Sequence, residues 1–178
     1  MEHVSEQSTD MADDMSKHPI SIIKDRAREK KRRVVLPEGT ELRTIQAAKK
    51  LISDSICSVV LLGDEAVVRK LAAEHGLQLS KIEIINPAHS ADHQLFAQEY
   101  FTLRQAKGGT AQEAELKMLD PLYYGAMMVR MGVVDAAVAG AVTNTSDVLR
   151  AAIQVIGVKP GLKTVSSSFL IRSCRVKV

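Results

Sequence analysis

Arg33-Val34-Val35-Leu36-Pro37-Glu38-Gly39-Thr40-Glu41-Leu42-Arg43 passes from one kind of secondary structure to another within eleven residues. Its β-branched start predicts a strand, and Pro37, Glu38 and Gly39 end that strand in a turn. Thr40 stands where a helix cap belongs. Beyond it Leu42, Ile45, Ala48, Leu51 and Ile52 form one apolar stripe at helical spacing.

The same unit recurs outward along the chain. Upstream, residues 16–30 predict a helix, preceded by a polar, acid-rich segment 1–15 that reads as a disordered leader. Downstream, Ser58–Leu62 is a short, continuously apolar strand, and Asp64 caps a helix carrying Val67, Val68, Leu71 and Ala72 until Gly76. Residues 82–85 predict a third strand, and 91–106 a helix that ends at Lys107-Gly108-Gly109. Thr110 and Glu113 make a capping box. Asp120-Pro121 opens a segment, 122–131, that is apolar nearly all round, as a deeply packed helix requires, with Met127, Met128 and Met131 as core packing. Residues 136–142, small and apolar, predict a fully buried strand. The next helix shows Leu149, Ala152, Ile153 and Ile156, and a last strand is expected over 164–171.

Strands that alternate with helices and lack two-residue hairpin turns require crossover connections. The class is therefore α/β, with a mainly parallel sheet and helices on both faces.

Composition agrees. In 178 residues, 46% are hydrophobic and 25% charged, which suits a globular domain; aromatics are 3% and Trp is absent, so aliphatic residues and Met must build the core. The net charge of +3 equals the charge of the last seven residues, which hold Arg172, Arg175 and Lys177 and no acid. The remainder is neutral, and the basic run 24–33 is interleaved with Asp25 and Glu29, so nucleic acid is not an expected partner. Cys57 and Cys174 have neither metal-ligand nor disulfide spacing, and no stretch reaches the ~18 apolar residues of a membrane span. A reducing cytoplasm fits.

In open parallel sheets ligands bind beyond the carboxyl ends of strands, where helix N-termini expose free N–H groups. Two strand-to-helix loops have the right chemistry for an anion. One runs from Pro37 to Arg43. The other runs from Gly140 to Arg150 and carries Thr143, Thr145 and Ser146; its hydroxyls, free backbone donors and guanidinium together suit phosphate. A third candidate is Arg104 with Lys107, beside Gly108-Gly109. Each of these also reads as ordinary capping or a solvated helix end. His89 and His93 lack a third ligand, so no metal is expected, and Ser166-Ser167-Ser168 sits in a predicted strand. No Walker loop, GxGxxG or GxSxG pattern occurs.

Taken in order, several segments resemble one family. They are Leu36-Pro37-Glu38-Gly39 with Arg43; Leu61-Leu62-Gly63; Tyr100 through Gly108 with Arg104 and Lys107; Tyr124-Gly125-Ala126-Met127 leading to Gly132 and Asp135; Ala139-Gly140-Ala141 through Ser146-Asp147-Val148-Leu149-Arg150; Lys159-Pro160-Gly161; and Val165-Ser166-Ser167. Together they are similar to the phosphate acetyltransferases and phosphate butyryltransferases over residues 17–171. The resemblance implies a three-layer α/β/α fold of the isocitrate/isopropylmalate dehydrogenase-like type, with two domains flanking a cleft, in a homodimer. It implies transfer of an acetyl group between coenzyme A and inorganic phosphate, with acetyl phosphate as the partner product. Coenzyme A is then a substrate, and no cofactor or metal is expected. Arg43, Arg104 and Arg150 would hold substrate phosphates, and Thr143, Thr145 and Ser146 would line the same floor.

The resemblance also divides the chain. Residues 16–160 correspond to the first domain, and 161–178 to the start of a second that is cut short, with 172–178 departing from the family pattern. The aspartate expected to deprotonate the thiol belongs to a later segment, so the chain is expected to be a fragment without its catalytic base. Butyryl transfer, a noncatalytic module that binds anions or coenzyme A, and the acetyltransferase-like tail of a malic enzyme stay open as alternatives.

Overall fold

A computed structural model describes residues 19–162 and 164–166. The elements run α1 (Pro19–Lys30), β1 (Arg33–Leu36), α2 (Leu42–Ser53), β2 (Ser58–Leu62), α3 (Glu65–Glu74), β3 (Glu83–Ile85), a 3-10 turn (Pro87–His89) and α4 (His93–Arg104). A second 3-10 turn (Gln105–Lys107), α5 (Ala111–Met118), α6 (Pro121–Arg130), β4 (Ala136–Ala137) and α7 (Thr145–Val155) complete them.

The four strands form one parallel sheet in the order β3-β2-β1-β4. Alternate residues of the two central strands point to opposite faces. Val35, Val60 and Leu62 face a core built with Phe96, Ala97 and Tyr100 of α4, Ala114 and Met118 of α5, Tyr123 to Met128 of α6, and Ala151 and Val155 of α7. Leu36, Val59 and Leu61 face Ile45 and Ala48 of α2 and Val68 and Ala72 of α3. The fold is thus a three-layer α/β sandwich, and β1 and β2 read as continuous apolar runs because both of their faces are covered.

The caps explain the element boundaries. Asp64 accepts from the Val67 N–H, Asp120 from the Leu122 N–H, and Thr110 with Glu113 forms the reciprocal capping box. Thr40 does not cap: α2 begins at Leu42 behind Glu41, whose side chain makes no capping bond. The third strand starts at Glu83 rather than at 82, because the Ile82 N–H turns back to the Leu79 carbonyl. Met127 and Met128 are fully buried in α6, but Met131 is 38% exposed, since it sits past the last helical residue.

The largest departure concerns residues 136–142. Only Ala136–Ala137 pair with β1, and Val138 and Val142 are 61% and 65% exposed. The backbone leaves the sheet because the N–H groups of residues 140–143 turn to the Glu38 carboxylate instead of a ladder. Residues 164–166 hold no strand; the rest of the strand expected at 164–171 lies outside the described residues, as do the segment 1–15 and the tail 172–178.

Gly39 brings the turn after β1 hard against β2. Its N–H donates to the Leu62 carbonyl at 3.1 Å, and a Cβ on it would stand 2.4 Å from that oxygen. Backbone cannot yield as a flexible side chain can. The Gly39→Ala variant is expected to lose about 1–3 kcal/mol of stability, read as a lower urea midpoint at unchanged m-value.

Candidate functional site

Helices α4 to α7, all on one face of the sheet, enclose a cleft of about 710 Å³ lined by fourteen residues, among them Arg104, Lys107, Lys117, Tyr123, Arg150 and Gln154. A hollow of this size suits a small organic ligand. Its position differs from the expectation of a site at the strand ends, because every lining residue comes from the helical layer or its connections.

Charge sets what the cleft can hold. Four cations, Arg104, Lys107, Lys117 and Arg150, face two acids, and both acids are already engaged. Glu113 accepts from the Thr110 N–H, which holds its carboxyl below the usual carboxylate range, and Asp120 accepts from the Leu122 N–H. Lys117 lies 4.4 Å from the centre of the Tyr123 ring, and Arg150 donates to Asp147 at 2.8 Å. Arg104 is half-buried, and among the described residues its guanidinium makes no hydrogen bond or ion pair. A partly desolvated guanidinium without a partner favours an anion there.

The chain places Arg104 through Gly109. The Gly109 N–H donates to the Arg104 carbonyl at 3.1 Å, and a Cβ at 109 would stand 2.8 Å from the Arg104 Cβ, so only glycine lets the chain double back here. The inner wall is aromatic. Tyr100 and Tyr123 meet edge to face at 5.9 Å, and both hydroxyls donate to Gln154 Oε1, at 3.1 and 3.2 Å. Burial pushes both phenols up, so they stay protonated donors at neutral pH.

The other expected contacts lie elsewhere. Arg43 lines a separate hollow of about 320 Å³ with Glu38, Gly140 and Ala141, donating to Glu41 and, at 2.6 Å, to the Ala141 carbonyl. Thr143, Thr145 and Ser146 do not line the Arg104 cleft; Ser146 donates to Asn144 Oδ1 within the cap of α7. The backbone donors that the sequence offered to phosphate are taken as well. Glu38 Oε2 accepts from the N–H groups of Gly140 and Ala141, and Oε1 from those of Val142 and Thr143, at 2.7 to 2.9 Å. A third hollow, about 470 Å³, contains Asp64 and Glu65 and no Lys or Arg, which is the wrong sign for an anion.

The family model described as phosphate acetyl/butaryl transferase matches residues 19–178. The chain belongs to this family. It is 39% identical over 145 residues to the phosphate acetyltransferase of Clostridium acetobutylicum, covering 82% of this chain and 44% of that protein. With the phosphate acetyltransferase of Thermoanaerobacterium thermosaccharolyticum it shares 40% over 152 residues, covering 85% and 46%. Among solved structures, a phosphotransacetylase from Streptococcus pyogenes superposes with a TM-score of 0.77 at 31% identity, covering 82% of this chain and 44% of that one. The EutD phosphotransacetylase from Staphylococcus aureus gives 0.75 at 35%, covering 81% and 43%. The chain thus spans under half the length of these relatives.

Within this phosphate acetyl/butaryl transferase domain, Lys117, Tyr100, Tyr123 and Gln154 were not legible as site residues. Each occupies an ordinary helical position, and only the packing of α4, α5, α6 and α7 aims them at one space. Glu38 had a visible signal, an acid placed directly where a strand ends, but its partners lie over a hundred residues away.

Burial alone would raise the Glu38 carboxyl, but hydrogen bonds from Val142, Thr143 and Ala141 outweigh it and hold the group at about 2, below its ordinary 4.5. A carboxyl depressed in the folded state contributes stability that is complete above pH 4.5 and is lost as pH falls toward 2. Because the group is partly exposed, the loss is expected to be about 1–2 kcal/mol. Urea midpoints of wild type and Glu38→Gln between pH 5 and 2.5 check this: the gap between them should narrow on acidification.

Proposed function

We propose that this chain supplies the anion-binding half of a phosphate acetyltransferase, the enzyme that moves an acetyl group between coenzyme A and inorganic phosphate. In that reaction the coenzyme A thiolate attacks the acetyl carbonyl of acetyl phosphate, a C–S bond forms, and the C–O bond to phosphate breaks. Both reactants carry phosphate charge, so the protein's work is to neutralise that charge and hold the two in line.

One observation carries the reading: Arg104 and Arg150, from separate helices, line one cleft together with Lys107 and Lys117, and Arg104 is half-buried and unpaired among the described residues. Arg104 and Arg150 are the direct contacts we favour. Arg43, Thr143 and Ser146 have intramolecular partners and act on the loop before α7. Acetyl rather than butyryl transfer rests on the relatives, which are named phosphate acetyltransferases. Coenzyme A as substrate rather than cofactor, a homodimeric whole protein and a cytoplasmic location belong to the same reading; no helix among the described residues is long and apolar enough to cross a membrane.

Calorimetric titration of coenzyme A into the 178-residue chain tests this. Binding is expected, weakening as salt is raised. Arg104→Ala and Arg150→Ala should each lower affinity about tenfold or more, as losing a charge-assisted hydrogen bond does. No heat of binding from the wild-type chain would refute the reading.

An assay of acetyl phosphate-dependent acylation of coenzyme A separates the enzyme half from a whole enzyme. Since the chain spans under half of its relatives, turnover near background is expected. Ordinary turnover by the chain alone would overturn that.

A further inference from the structure

Glu38 lies outside the Arg104 cleft, yet hydrogen bonds linked through one step of backbone, Thr143 to Asn144, join it to Arg150. Its carboxylate holds the N–H groups of Gly140, Ala141, Val142 and Thr143. Asn144 follows directly and caps α7: its Oδ1 accepts from the Asp147 N–H at 2.9 Å, and its Nδ2 donates to Asp147 Oδ2 at 2.7 Å. The other oxygen of Asp147 then accepts from Arg150 Nη1 at 2.8 Å. Arg43 grips the same loop from its other side by donating to the Ala141 carbonyl.

The loop has few other holds. β4 pairs over two residues only, and the Val138 N–H donates to the Val35 carbonyl at 3.0 Å; past that bond the sheet no longer fixes the chain, and Val142 is exposed, so residues 139–143 depend on bonds to side chains. Four donors converging on one carboxylate form an anion nest filled by the protein's own side chain. With a folded value of about 2, Glu38 is ionised throughout the neutral range and cannot serve as a proton acceptor there. Its consequence is geometric.

Resting on the reading of Arg150 as a substrate contact, we propose that Glu38 is a positioning residue that sets the start of α7 and, through Asn144 and Asp147, the direction in which Arg150 enters the anion cleft. A contiguous chain of bonds is a route for such coupling, and a measured coupling is what demonstrates it. Glutamine at this position is the sharp probe, because it keeps the shape but points an NH₂ at backbone donors.

The first measurement is the arginine Nε–H region of the nitrogen-15 spectrum of the whole chain, assigned with Arg104→Lys and Arg150→Lys. In Glu38→Gln the Arg150 signal is expected to shift toward the free-arginine position while the Arg104 signal stays. Glu38→Asp, which keeps the charge but is one methylene short, should lie between, and it serves if the glutamine variant does not fold. An Arg150 signal unmoved in both variants overturns the proposal whether or not coenzyme A binds.

The second is a double-mutant cycle on coenzyme A affinity. Glu38→Gln should weaken binding about fivefold or more. Adding Arg150→Ala to it should cost at most twofold further, whereas adding Arg104→Ala should cost its full factor. Equal penalties from both arginines would mean a general loss of structure and would overturn the proposal. A wild-type chain that binds no coenzyme A would sink the functional reading alone, and the spectrum would still decide the role of Glu38.

Discussion

One carboxylate meeting four backbone N–H groups is the interaction that fixes the chain between the sheet and α7. β1 and β4 are joined by only two residue pairs, and each end of that short contact is fastened by an acid. At the start, Asp135 accepts from the Arg33 N–H at 2.8 Å and pairs with Arg32. At the far end, Glu38 reaches across to residues 140–143. Without the second fastening, the exposed loop of small residues before α7 would keep only the Arg43 bond to the Ala141 carbonyl and the Val138 bond to β1. Charge-assisted bonds to backbone donors are strong because an ionised acceptor replaces a neutral one, and they leave no donor free for a competing conformation.

The cleft has a separate origin. Sheet packing does not build it; four helices on one face leave a space between them, and the aromatic rings of Tyr100 and Tyr123 wall its inner side. Its positive character comes from an excess of cations, four against two acids, and the acids are turned to other partners. Glu113 and Asp120 spend their lone pairs on helix caps. Their charges remain, but neither carboxylate pairs with a cation of the cleft, and Arg104 is left without an ion-pair partner among the described residues. Capping, a device for helix stability, thus also sets the electrostatics of the site.

The fold was legible because its signals are local. The apolar runs of β1 and β2, the caps at Asp64, Thr110 and Asp120, and the stripe on α2 each follow from neighbouring residues and fixed periodicity. The errors share a cause as well. Residues 136–142 have the composition of a buried strand, yet a distant carboxylate takes their donors, and Met131 has the composition of core but falls beyond the end of α6. Of the six expected site residues, Arg104 and Arg150 share the cleft, while Arg43, Thr143, Thr145 and Ser146 lie outside its lining.

Near neighbours in the sequence were enough to give the α/β class, the order of the described elements from β1 to α7, the caps at Asp64, Thr110 and Asp120, and guanidinium groups near helix ends, but not the start of α2, where Thr40 does not cap. Tertiary structure alone decided that Arg104 and Arg150 face one cavity, that Lys117 joins them, and that Glu38 rather than an outside anion fills the donors of the loop before α7. Those outcomes depend on the packing of four helices and on contacts between residues about a hundred positions apart, and separation along a chain carries no direction in space until the core has closed.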